Sequence, residues 1–190
     1  MRNAYWQAVG AGMAVLVVSL HPNAVLAQAI QTVPNESLVP YNRGQEQAHR
    51  WSGNASMGFL GNTPDGMALA MNGGADYFVT NQVSVGPLVQ LGLTNDLTQV
   101  GLSGQGKYWI DLPGTNGRAK LNFQSGIGFV HADFRNNDTS WLVPIGIGYD
   151  YTLPSGPSLS ATVLVNFTDL NTGAGTGADV MPGFIVGLRF

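Results

Sequence analysis

The chain has 190 residues, a formal net charge of −3, no cysteine, 26 glycines and only 10% charged side chains. Soluble domains carry about 25% charged residues and about 7% glycine, so charge is scarce here and glycine abundant. The absence of cysteine excludes a disulfide scaffold and a cysteine metal centre. The 44% apolar content excludes a disordered chain, and the lack of a basic patch speaks against nucleic acid as a partner.

Arg2 opens a short positive stretch, Val9 to Leu20 is apolar, and His21-Pro22 breaks the run before Ala24-Val25-Leu26-Ala27. The run is shorter than the roughly 20 residues of a membrane helix. Its order of charge, apolar stretch and small residues is that of a secretory signal peptide. Residues 1–27 are therefore expected to be removed, with a cut after Ala27, or after Ala29 as second choice. Residues 28–49 contain Pro34, Asn35, Pro40, Asn42 and Gly44 without a sustained period, and read as a polar lead-in.

From Arg50 to Phe190 the period is two, the signature of strands with one apolar face. Trp51, Gly53, Ala55, Met57 and Phe59 share one face, with Arg50, Ser52, Asn54 and Ser56 on the other. Asn62 to Gly66 reads as a tight turn. Met67, Leu69 and Met71 continue the apolar face, and this second strand is expected to end near Gly73-Gly74. Further strands are predicted over 81–93, 99–112, 119–133, 141–152, 158–168 and 179–190. Several reach the 9–11 residues that a membrane-crossing strand needs. The longer polar connections, 134–140 and 169–178, fall at one end of the expected sheet.

Alternation alone fits a soluble sandwich with its apolar face inward or a membrane barrel with its apolar face toward lipid. Three features favour the barrel. The polar face uses Ser, Thr, Asn, Gln and Gly in place of Lys and Glu. Aromatics such as Trp51, Phe129, Trp141, Tyr149 and Phe190 gather toward strand ends, and the chain closes on a strand ending in Phe190. The fold class expected is all-β: an eight-stranded antiparallel up-and-down transmembrane barrel over residues 50–190.

The leader, the eight alternating strands and the closing Gly183-Phe184-Ile185-Val186-Gly187-Leu188-Arg189-Phe190 resemble the small bacterial outer-membrane β-barrel family, the group around the OmpA transmembrane domain, OmpX and OmpW. The stretch Gly74 to Gly86 looks like the turn and strand that follow the first hairpin in such proteins. The resemblance implies export through the periplasm into the outer membrane of a Gram-negative-type envelope. It implies outer-membrane lipids and lipopolysaccharide as surroundings, and the outer-membrane assembly machinery as a partner during biogenesis. It also makes Phe184, Leu188 and Phe190 part of a membrane-insertion signal.

The residues that carry chemistry are few. Arg50, Asp111, Lys120, Asp150 and Arg189 share the inward parity and the periplasmic end. Charges facing lipid near the membrane centre cost about 2–4 kcal/mol, so an inward ionic layer is the economical placement. It reads either as a plug that fills a narrow barrel or as a selectivity ring. His131 and Asp133 lie on the lipid-facing parity with Ala132 between them, and Ser140 is nearby in sequence. The hydroxyl that a His-x-Ser hydrolase pair would need is missing from that spacing, so no enzyme activity is expected. No cofactor and no metal site are expected either. Two function classes stay open. One is a structural or surface-interaction protein with a largely filled lumen. The other is a minor channel for small or apolar solutes, for which the inward glycines Gly86, Gly92, Gly126, Gly128, Gly146 and Gly148 leave room.

Overall fold

The computed structural model describes residues 48–173 and 175–190. The expected leader, its cut, and residues 28–47 of the lead-in lie outside them. Eight strands follow one another: β1 (Trp51–Thr63), β2 (Gly66–Phe78), β3 (Val83–Leu93), β4 (Thr98–Asp111), β5 (Ala119–Asp133), β6 (Asn137–Thr152), β7 (Ser158–Asn171) and β8 (Gly177–Arg189). Each pairs antiparallel with the next, and β1 pairs with β8, so the sheet is a closed barrel with no free edge. Closure matters in lipid, where an unpaired strand edge would leave backbone groups with nothing to bond. The seam runs from Asn54 opposite Arg189 to Leu60 opposite Gly183. It is finished by two backbone bonds between Gly53 and Phe190, at 2.8 and 3.0 Å.

The strands outrun the alternation that announces them. β2 does not stop at Gly73-Gly74 but continues to Phe78, so Asp76 lies inside a strand and the turn is confined to Val79–Gln82. The expected 134–140 loop shrinks to Phe134–Asn136, because Asn137 and Asp138 pair with Asp133 and Ala132. The 169–178 loop shrinks likewise, since Asn171 pairs with Gly177. Ladder bonds are made by backbone, so polar side chains at a strand's end do not terminate it. The connections at the far end therefore span two to five residues. The longest connection, 112–118, is at the end shared by Trp51 and Arg189, here called the terminal end. The expected contrast between short periplasmic turns and long outer loops is absent from this barrel.

Side-chain direction separates the two readings of the alternation. Met57, Met71, Val89, Leu102, Ile127, Ile145, Val163 and Phe184, one from each strand, are all exposed on the outside of the wall, Ile127 at 73%. Water-soluble monomers do not expose a contiguous apolar surface that encircles the molecule. The belt is bordered at the terminal end by aromatics, with Trp51 and Tyr77 rings 5.2 Å apart. The inward parity is even on β1, β2, β3, β5, β6 and β7, and odd on β4 and on β8 from Met181. The change of parity on β8 follows the irregular register between Phe167 and Leu170.

Candidate functional site

An eight-stranded barrel encloses a space just wide enough for side chains, and here the filling differs between the two ends. Toward the far end it is apolar. Leu60, Ala70, Leu97, Val130, Ala132, Leu142, Leu170, Ala178, Met181 and Ile185 form one buried cluster, with Phe134 packed against it. Val130, Ala132 and Met181 are completely shielded. The pocket beside this cluster, bounded by Leu60, Asn72, Gln90, Gln99 and Ile185, has about 10 Å³ of free volume, about enough for one water.

Toward the terminal end the filling is ionic. Lys107 Nζ lies 3.0 Å from Asp76 Oδ2, with Asp76 wholly buried. Arg189 Nε lies 3.3 Å from Asp150 Oδ1, and Asn122 donates to the other oxygen, Asp150 Oδ2, at 2.8 Å. The Arg189 guanidinium stacks on Trp109 at 4.3 Å from the ring centre, a cation–π geometry strengthened by exclusion of water. Trp109 in turn donates its indole N–H to Ser84 Oγ at 2.9 Å, and its ring meets Phe78 at 5.7 Å. Two carboxylates and two cations thus neutralise one another inside the wall. That pairing is what makes buried charge tolerable.

Of the five charged residues singled out by parity, the structure brings together Asp150 and Arg189 as the inner pair. Lys120 and Asp111 form a second pair at 3.2 Å, with Lys120 buried and the Asp111 side chain 54% exposed, so this pair belongs to the rim. Arg50 is a correction. It precedes β1, it is exposed, and its part in the barrel is a backbone carbonyl that accepts from Phe78 N–H. The Phe78 carbonyl accepts from His49 N–H and not from Arg50 N–H, and His49 has a positive φ of 62°, so the pairing is irregular there and parity counted back from β1 does not carry to Arg50. The parity argument singled out neither Asp76 nor Lys107. The signal was present: Asp76 carries the same even parity as Asn72 and Gly74, once β2 is allowed to run on.

Five of the six inward glycines, all but Gly92, leave no space for a Cβ, which corrects the room assigned to them. A Cβ on Gly86 would fall 1.7 Å from the Ala75 carbonyl oxygen, and one on Gly128 would fall 2.0 Å from that of Leu102. At Gly148 and Gly146 the space is taken by the Asn122 and Gln124 amides, at 2.5 and 2.9 Å. These glycines admit close strand approach and neighbouring side chains.

On the outer wall, His131 Nδ1 lies 2.8 Å from Thr139 Oγ1, its cross-strand neighbour. Ser140 faces inward and accepts from the Asp169 N–H at 3.0 Å, so it stands on the opposite side of β6 from His131. Asp133 sits exposed, opposite Asn137. A nucleophile–base pair also needs a third group that orients the base, and among the described residues no carboxylate bonds this imidazole. Among the described residues, no three His, Asp or Glu side chains converge as metal ligands.

The seam residues Phe184, Leu188 and Phe190 all face outward, at 53, 46 and 74% exposure. They line the apolar belt beside β1.

No family model matches the sequence, and no curated protein sequence is detectably similar to it. Solved structures are similar. Neisserial surface protein A superposes with a TM-score of 0.53 at 14% identity, over 73% of this chain and 94% of that one. The N-terminal β-barrel domain of Pseudomonas aeruginosa OprF gives 0.50 at 15% identity, over 73% and 97%. At such identities the likeness is one of fold: a small, closed, eight-stranded barrel of the kind found in bacterial outer membranes.

Proposed function

We propose that the protein is a structural component of a bacterial outer membrane, a barrel that lives in lipid and conducts nothing. The observation that carries this reading is the lumen filled by two successive layers, an apolar cluster and a neutralised ionic set. Ions crossing such a barrel would have to pass completely shielded apolar side chains, where an unpaired charge is prohibitively costly. The short far-end turns favour a structural role over surface recognition, because they offer little ordered surface beyond the membrane. Lipid and lipopolysaccharide contact the belt. Export through the periplasm and delivery by the outer-membrane assembly machinery precede it, with Phe184, Leu188 and Phe190 read as the insertion signal.

Osmotic swelling of proteoliposomes tests this. Vesicles carrying the refolded barrel should swell in small sugars and amino acids no faster than protein-free vesicles. Rapid, size-dependent swelling would replace this reading with the second one, a minor channel for small or apolar solutes.

A further inference from the structure

Between the apolar cluster and the aromatic pair Phe78–Trp109 lies a chamber of about 40 Å³, bounded by residues from all eight strands. By the volume one water needs, it holds about three waters. Four buried atoms of its lining have no hydrogen-bond partner among the described residues: Asn54 Nδ2, Arg189 Nη1, Asn72 Oδ1 and Asn122 Oδ1. Asn72, Asn122 and Arg189 are each more than nine-tenths buried. Two of the four atoms are donors and two are acceptors.

The two donors belong to directly opposed residues of the seam, since Asn54 pairs with Arg189. The ionic groups around them already balance. Asp76 takes Lys107 and Asp150 takes Arg189, so the chamber has no net charge to offer an ion. A cation or an anion would satisfy only half of the free atoms and would bring an uncompensated charge into a shielded space. A small uncharged group with both a carbonyl and N–H groups satisfies both halves. We infer that this chamber is a binding site for a small uncharged amide-like solute, of about the volume of three waters. The site is blind. The far end is sealed by Leu60, Leu142 and Met181, so binding here goes beyond the structural role proposed above and does not require conduction.

Trp109 lines the chamber and supplies the readout. In W6F/W51F/W141F protein, Trp109 is the single tryptophan, and acrylamide is both an uncharged amide and a fluorescence quencher. Acrylamide should quench Trp109 statically, at unchanged lifetime, and formamide should compete and restore emission. Iodide and caesium should quench at least about tenfold less, because a buried unpaired charge is disfavoured. Asn72→Leu removes one acceptor and fills the space, and should weaken acrylamide binding by about tenfold, the equivalent of about one lost hydrogen bond. Thr162→Leu fills the same chamber without touching the four atoms and should act in the same direction. Heat-modifiable migration reports that each variant is folded. Absent or purely collisional acrylamide quenching would overturn the site while leaving the closed lumen intact. So would quenching that both filling variants leave unchanged. Iodide quenching equal to that by acrylamide would overturn the site and the closed lumen together.

Discussion

The two halves of the lumen occupy the same strands and obey the same alternation, yet they are held by different physics. The far half is packed as the core of a soluble domain is packed, with Leu60, Leu142, Leu170 and Met181 in one buried apolar cluster. Its requirement is volume. The terminal half is held by pairing, with Asp76 on Lys107 and Asp150 on Arg189 and Asn122. Its requirement is that no member be lost, because the partner would remain charged inside the wall, away from bulk solvent. The far half should therefore tolerate changes that conserve size, and the terminal half should not tolerate even small changes of charge.

That contrast can be broken in graded steps. The largest loss is expected from Lys107→Ala, which strands the wholly buried Asp76. Stranding one partner of a buried pair costs about 3–5 kcal/mol, read as a lowered urea midpoint in lipid vesicles. Asp76→Asn combined with Lys107→Met should recover most of that loss, since a neutral pair strands nothing. Leu142→Ala in the apolar half should cost about 3 kcal/mol by the cavity it leaves, whereas Leu142→Met, which conserves volume, should cost under about 1.5 kcal/mol. Gly86→Ala sets a side chain against the Ala75 carbonyl and should cost about 1–3 kcal/mol by overpacking. The smallest effect belongs to Asp111→Asn. Its carboxylate is half exposed although Lys120 is buried, and a pair screened by solvent on the carboxylate side contributes about 0–1 kcal/mol.

Much of this barrel was legible in the sequence. The strand count follows from alternation, and its outward face was assigned from the use of Ser, Asn, Gln and Gly opposite the apolar residues. Parity alone singles out Arg50, Asp111, Lys120, Asp150 and Arg189; Lys120, Asp150 and Arg189 are buried, whereas Asp111 and Arg50 are exposed. The apolar half of the lumen was not legible. Where Val130, Leu142, Leu164 and Ile185 face inward, apolar residues occupy both parities, and the period of two that marks a strand loses its contrast. Asp76 was lost for a different reason. Gly73-Gly74 reads as punctuation, but strand pairing carries the chain through these glycines to Phe78. Pairing between strands distant in sequence also sets which cation meets which carboxylate. Lys107 and Asp76 meet across β3, a relation that appears only after the barrel has closed.

The central claim is that these two fillings together close the lumen, and single-channel recording in planar bilayers tests it most directly. The refolded, unmodified barrel is predicted to insert without producing a defined open level above the membrane baseline. Stable, ohmic current steps that scale with the number of inserted barrels would contradict the account.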